Sequence, residues 1–268
     1  MHYNPVLPLY GIKSNGDLHW YGHDGWEEGT ADWFGGAGGY RIGDGWDMYD
    51  TVFGGRRGAI YGIKPNGDMH WYRHDGRENG AVLWTAGSGG NQIGEGWDMY
   101  DTVFYGGDSV IYGIKPNGDL HWYLHEGWEE GTADWIAGAG GNKIGEGWGI
   151  YDTVFCGEAG AIFGIKPNGD MYWYHHDGWS DGTARWTAGE GLKISGGWDI
   201  YNSVFGGYEG HIYGIKPNGD LQWYAYRGWQ GEGDIKWTAG EGGLKVASGW
   251  DMYDTAFTGQ LYYLPIEE

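Results

Sequence analysis

The chain has 268 residues, with 16 Lys and Arg against 37 Asp and Glu and a formal net charge of −21. An acidic balance spread over the whole length makes a poor phosphate binder and speaks against nucleic acid and membrane insertion. With 58 Gly, 19 Trp, 22 Tyr and one cysteine, Cys156, the composition rules out an internal disulfide and a cysteine metal cluster, and makes aromatic rings the main source of burial.

Residues 1–8 form a short, apolar-leaning lead-in whose prolines, Pro5 and Pro8, favour an edge strand or extended arm. It has no signal-peptide pattern, and no apolar run reaches membrane-spanning length. The chain as written is therefore expected to be soluble, and either cytoplasmic or exported by a non-classical route.

A repeating unit then begins and is complete in its second copy. Residues 45–53 read as a first strand, ended by Gly54-Gly55. Residues 59–64 read as a second strand and 69–74 as a third, joined by Pro65-Asn66-Gly67-Asp68. Asn-Gly there predicts a two-residue type I′ hairpin. A loop over 75–82 follows. Trp84 opens a fourth strand, and Ile93-Gly94-Glu95-Gly96-Trp97 leads into the next copy.

The turn glycines Gly16, Gly67, Gly118, Gly169 and Gly219 are spaced by 51, 51, 51 and 50 residues. The Gly-Trp junctions fall at Trp46, Trp97, Trp148, Trp198 and Trp250. Four short strands per unit with no helical period describe a propeller blade. The expected fold is all-β: a five-bladed β-propeller with four antiparallel strands per blade. Its blades are expected at 250–268 with 1–45, then 46–96, 97–147, 148–197 and 198–249, so that the C-terminal segment closes the ring. Leu261-Tyr262-Tyr263-Leu264 resembles the start of another second strand, and the lead-in competes for the same inner position. Both leave the closing register open.

Three chemistries can be weighed on the residues. The loop carboxylates Glu27-Glu28, Glu129-Glu130 and Asp181 are of the type that hydrolyses glycosidic bonds. Similar loops recur around the ring, however, without a unique acidic pair or a nucleophile–His–acid arrangement, so no enzyme is expected. His19 and His23, His70 and His74, and His121 and His125 lie four residues apart. On a strand that is one face but roughly 13 Å apart, which suits packing and hydrogen bonding between blades rather than one metal ion. Blade four shifts the second position to His175-His176, and blade five carries Gln222 and Tyr226. No metal or other cofactor is expected.

The tryptophans supply the third chemistry. Those at 20, 71, 122, 173 and 223 are mid-strand, and those at the junctions are read as structural too. Trp33, Trp84, Trp135, Trp186 and Trp237 open the fourth strand. Trp26, Trp128, Trp179 and Trp229 lie in the long loop, where the second copy has Arg77. A loop Trp between glycines and carboxylates offers a face to the C–H side of a sugar ring. It equally serves as a plug between blades.

The Pro-Asn-Gly-Asp-Leu turn, the aromatic third strand, the loop ending in Trp and the Ile-Gly-x-Gly-Trp junction resemble the tachylectin family over essentially the whole chain. That family comprises five-bladed propeller lectins that recognise N-acetylated amino sugars. The resemblance implies one site per blade, between the loop joining the outer strands and the connecting segment of a neighbouring blade. Carried over, the loop part falls on Trp26 to Trp33, with Asp32-Trp33 at the family's Asn-Trp, and on Leu83-Trp84, Asp134-Trp135, Arg185-Trp186 and Lys236-Trp237. The connecting part falls on Ile42-Gly43, Ile93-Gly94 and Ile144-Gly145, and departs at Ile194-Ser195 and Val246-Ala247.

The residue before the strand-opening Trp changes sign around the ring, blade two lacks the loop Trp, and blade five has an extra loop residue (Gly231-Glu232-Gly233-Asp234). Blades one and three are therefore expected to be most alike in affinity, and blade two the weakest. The expected partners are glycans or glycoconjugates on cell surfaces, bound multivalently. The rival readings are a protein-interaction scaffold and a glycoside hydrolase. Nothing in the sequence fixes an oligomeric state.

Overall fold

Each Asn-Gly turn is flanked by aromatic and β-branched residues, and these make the central pair of strands in every repeat. In a computed structural model that describes residues 6–36, 38–231, 235–240 and 242–261, Ala59–Ile63 pairs antiparallel with Met69–His74, from Ile63 opposite Met69 to Ala59 opposite Arg73. An inner strand, Thr51–Gly54, pairs on one side. The outer strand pairs on the other in two pieces, Trp84–Thr85 and Asn91–Gly94, with an irregular register between them. The same order recurs in five sheets, and in the fourth repeat the outer strand is continuous over Trp186–Ser195. The molecule is a five-bladed propeller of antiparallel blades, and no α-helix occurs among the described residues.

The ring closes between the two ends. Thr255–Thr258 pairs with Leu7–Ile12, from Leu9 opposite Thr258 to Ile12 opposite Thr255. The C-terminal segment thus supplies the inner strand of the blade that begins the chain. Residues 1–5 and 262–268, on which the competing registers rested, lie outside the described residues, as does most of the extra loop at 232–234.

Two local expectations are corrected. The first strand does not start at the junction. Gly45 sits at φ 74° and Trp46–Met48 is a 3-10 turn, so the strand begins only at Thr51. The hairpin is also not type I′. Gly67 has φ 85° whereas Asn66 does not have positive φ, and Gly67 N–H donates to Lys64 C=O at 2.9 Å. This is a type I turn closed by a left-handed glycine, because Pro65 at the first central position fixes φ near −65° and excludes the mirror-image turn. The Asn66 side chain accepts from Asp68 N–H at 3.2 Å and braces the turn.

Blades are locked together by polar pairs inside the aromatic core. His74 Nδ1 meets Tyr10 Oη at 3.1 Å, His125 meets Tyr61 at 3.0 Å, His176 meets Tyr112 at 2.9 Å and His23 meets Tyr213 at 2.8 Å. Each imidazole bonds through Nε2 to a carbonyl of its own loop: Ala81, Thr132, Thr183 or Thr30. At the remaining interface both partners change together. Phe163 replaces the tyrosine and Tyr226 the histidine, and their rings meet edge to face at 5.8 Å. The expected role of these histidines in contacts between blades is what the geometry displays.

Burial drives the pKa of His23, His74 and His211 down to about 4, and holds His125 and His176 below the usual imidazole range. These groups fold neutral, so the unfolded chain takes up more protons as pH falls through 6.5 towards 4, and stability falls with it. Glu158 works the other way. Burial raises it to about 7, which favours the folded state at low pH and loses that contribution as pH rises from 4.5 to 7. The histidines held below their usual range, which also include His19 and His121, outnumber the raised carboxyls Glu158 and Glu209. The urea midpoint is expected to drop between pH 7 and pH 4.5, even though acid reduces the self-repulsion of an acidic chain. A midpoint that rises over that range contradicts this account.

The inner strands approach closely at the axis, and two of the five have glycine after the inner phenylalanine, where the others carry Tyr105, Cys156 and Thr258. A Cβ on Gly54 would lie 2.1 Å from Thr258 C=O, and one on Gly206 would lie 2.2 Å from Cys156 C=O. Cys156 takes the same position in its own repeat, packed as a small side chain whose Sγ lies 3.4 Å from Gly106 C=O. One residue at the next bend is out of keeping with its equivalents. Gly58, Gly160 and Gly210 are left-handed there, whereas Ser109 holds φ 70° with its hydroxyl buried and unpartnered. A left-handed L-residue costs about 1–2 kcal/mol. Ser109→Gly is therefore expected to stabilise the fold by about 1 kcal/mol, raising Tm by about 2–4 °C at this size.

Candidate functional site

The connecting segment between blades is positioned by the hairpin turn of the blade it leaves. The backbone N–H of Trp46, Trp97, Trp148, Trp198 and Trp250 donates to C=O of Gly16, Gly67, Gly118, Gly169 and Gly219 at 3.0–3.1 Å. The turn aspartates Asp17, Asp119, Asp170 and Asp220 meanwhile pair with Arg41, Lys143, Lys193 and Lys245 of the outer strand at 2.6–2.7 Å. Those cations hold the carboxyls below the usual carboxylate range. The regular turn thus fixes the linker at one end and the outer strand at the other.

Each junction Trp then leans on the next blade. Trp97 sits 4.6 Å from the Tyr123 ring and 5.6 Å from Trp135. Tyr100 and Tyr123 share a hydroxyl–hydroxyl bond of 2.5 Å, and Trp135 Nε1 donates to Ile93 C=O at 2.7 Å. The same indole-to-linker bond joins Trp84 to Ile42, Trp186 to Ile144, Trp237 to Ile194 and Trp33 to Val246. The tyrosine pairs recur as Tyr49–Tyr72, Tyr151–Tyr174, Tyr201–Tyr224 and Tyr21–Tyr253. The product is a crevice with half-buried Trp on one wall, the linker on the other and tyrosines in the floor.

Between blades four and five this crevice is a cavity of about 410 Å³, lined among others by Ser195, Trp198, Tyr201, Tyr224, Trp237 and Ala239. Backbone strain gathers there. Ala86, Ala137, Ala188 and Ala239, each two residues past a strand-opening Trp, have φ between 54° and 77°, and the equivalent in blade one is Gly35. Left-handed alanine persists only where the surroundings impose it, which marks this rim as a functional candidate. Aromatic faces, few fixed donors and, among the described residues, no charged lining suit a small neutral ligand with an apolar face and hydroxyls.

The structure brings together Trp33, Trp84, Trp135, Trp186 and Trp237 with the linkers. The indole bonds of Trp84, Trp135 and Trp186 go to the carbonyls of Ile42, Ile93 and Ile144, so the adjoining Gly43, Gly94 and Gly145 each serve the following blade. The structure does not bring the loop tryptophans there. Trp26 is 1% exposed and packs edge-on to His211 and Tyr208. Trp128 lies beneath Arg56 and Arg57, 4.7 and 5.6 Å away. Trp179 and Trp229 back onto the bends at Gly160 and Gly210. All four lie against the bends that follow the inner strands, as plugs between blades.

Asp32 and Asp134 accept from the hydroxyls of Thr30 and Thr132 at 2.6 Å, and Arg185 pairs with Asp181 at 2.8 Å; each ties its own loop. Lys236 is exposed and does not line the crevice between blades four and five. What sequence reasoning passed over is the junction Trp, read as structural, and its tyrosine pair. The signal was present: the paired tyrosines stand 23 residues apart in four of the repeats.

A second concavity, of about 200 Å³, lies on the axis between the inner strands. Glu158 faces it and accepts from Gln260 Nε2 at 3.1 Å, while Gln260 Oε1 accepts from Tyr105 Oη at 3.2 Å.

No curated protein matches the sequence. A solved symmetrical protein, from work on de novo evolutionary emergence under folding constraints, is similar in fold with TM-score 0.62 at 19% identity, over 95% of this chain and 99% of that one. The six-bladed fucose-recognising lectin of Aleuria aurantia aligns with TM-score 0.39 at 18% identity, over 86% of this chain and 71% of its own. The model of the tachylectin family matches residues 3–140 and 122–264, nearly the whole length and all five blades. The chain belongs to the tachylectin family.

Proposed function

We propose that this propeller is a multivalent lectin whose junction crevices each take one N-acetylated amino sugar, such as GlcNAc or GalNAc, on cell-surface glycans, and that it carries out no catalysis. Family membership supports carbohydrate binding as such. The observation that carries the location is the repeated crevice, where a half-buried Trp is held in place by its bond to the linker carbonyl of the preceding blade. An indole fixed in that way is preorganised, and a ligand stacking on it does not have to order it. A single shallow site is weak, and several on one ring raise avidity by roughly 10²–10⁴ on a clustered glycan surface.

A glycan array tests the ligand class; signals on amino-sugar glycans are expected, and a blank array refutes the reading. Titration calorimetry tests the location. Trp135→Ala is expected to remove one site from the stoichiometry for GlcNAc and leave the others, whereas an unchanged stoichiometry places binding elsewhere. Binding is expected to withstand EDTA, since aromatic faces and hydroxyls provide the recognition.

A further inference from the structure

The five junctions are not equivalent, and the difference lies in one linker residue. In three of them it is glycine. A Cβ built on Gly43, Gly94 or Gly145 would lie 3.0, 2.5 or 2.9 Å from the indole nitrogen of Trp46, Trp97 or Trp148 respectively. Glycine therefore leaves a notch directly beside an indole N–H. Among the described residues no hydrogen bond runs from the side chain of Trp46, Trp97 or Trp148 to protein, whereas at the fourth junction Trp198 Nε1 donates to Ser195 Oγ at 2.7 Å. At the fifth junction Ala247 puts a methyl at the equivalent position, packed against the cluster that holds Trp250.

The Ser195 hydroxyl shows what the notch accepts: one oxygen, within bonding distance of the indole nitrogen and at the edge of a cavity that Ser195 and Trp198 both line. We infer that Trp46, Trp97 and Trp148 each donate an indole hydrogen bond to a ligand oxygen seated in the glycine notch, and that Ser195 and Ala247 close this subsite at the other two junctions. The chain then carries three crevices of one class and two of a second, weaker class. This rests on the reading of the crevices as sugar sites. The oxygen is a hydroxyl or carbonyl oxygen of the sugar, because an indole N–H only donates.

The grouping differs from the one expected from the loops, in which blades one and three were paired. That expectation rested on the loop Trp and on the residue before the strand-opening Trp. The loop Trp packs against the inner bends, and Asp32, Asp134 and Arg185 bond within their own loops. The linker residue stands beside the ring that forms the crevice wall.

The test is an indole N–H spectrum of the full chain, recorded alone and during titration with GlcNAc. Without sugar, the indole protons of Trp46, Trp97 and Trp148 are expected to exchange with water faster than that of Trp198, and Ser195→Gly is expected to bring Trp198 into the fast group. With sugar, the three fast resonances shift first, and Ser195→Gly tightens its own site by about 3- to 10-fold, the worth of one hydrogen bond. Gly43→Ser is expected to do the reverse at the Trp46 site alone.

If sugar binds but Ser195→Gly changes neither the exchange of Trp198 nor its affinity, the subsite is refuted and the lectin reading stands. If the exchange pattern is as expected but GlcNAc moves no indole resonance and no glycan binds, the notch exists and the assignment of its occupant as a sugar oxygen fails together with the lectin reading. Five equal affinities also refute the two classes.

Discussion

Gly131→Ala is expected to lower the stability of the whole propeller by about 2–5 kcal/mol. In four blades the loop glycine lies on the mid-strand tryptophan of the preceding blade: Gly29 on Trp223, Gly80 on Trp20, Gly131 on Trp71 and Gly182 on Trp122. Trp71 is fully buried, and Gly131 has φ 66° with its missing Cβ only 2.1 Å from Trp71 Cε3. A side chain there meets two independent costs. The left-handed backbone adds about 1–2 kcal/mol, and forcing a methyl into a packed ring adds about 1–3 kcal/mol. Against a domain stability of about 5–15 kcal/mol that is a large fraction. Urea unfolding followed by tryptophan fluorescence reads it directly. Gly87→Ala is the control, since no atom lies within 4 Å of its Cβ position and its φ is not positive; it should be neutral or slightly stabilising. Equal effects of the two substitutions contradict the packing account.

The second large effect is a coupling. Tyr112 and His176 form one of the hydrogen-bonded pairs between blades, and Phe163 and Tyr226 fill the equivalent place at the next interface. Tyr112→Phe leaves a fully buried imidazole nitrogen without its partner, at a cost of about 1–3 kcal/mol. His176→Tyr alone puts a larger ring against an intact tyrosine and is expected to cost about 1–3 kcal/mol as overpacking. The double substitution reproduces the Phe–Tyr pair that the chain already uses, so it should recover most of both losses. A double-mutant cycle is expected to give a coupling of about 1–3 kcal/mol in the favourable sense. Additive losses mean that the two residues do not act as a pair.

The architecture was legible because its signals are periodic. Turn glycines about 51 residues apart and aromatic strands on either side fix the number and kind of blades without any long-range information. Details that depend on neighbouring geometry were less visible. The Asn-Gly pair suggested a type I′ hairpin, but Pro65 overrides it through its fixed φ. The strand expected over 45–53 starts late, because Gly45 is left-handed and turns Trp46 into the next blade.

The site divides along the same line. Strand-opening tryptophans and linker glycines are repeat positions, and both reach the crevice. Trp26 and Trp128 were candidates because glycines and carboxylates surround them in sequence. What decides their place is the neighbouring blade, which supplies His211 and Tyr208 to one and Arg56 and Arg57 to the other. A residue's own neighbours in sequence cannot show that. The junction tryptophans, read as structural, are buried as that reading expects, and Trp198 also lines the cavity between blades four and five.

The location of the sugar sites is the central claim, and a crystal soaked with GlcNAc tests it most directly. The account predicts sugar density in the blade-junction crevices, against Trp84, Trp135 and Trp186 and beside Gly43, Gly94 and Gly145. Density on the axis near Glu158 or over the bends by Trp26 and Trp128, with the junctions empty, would contradict it.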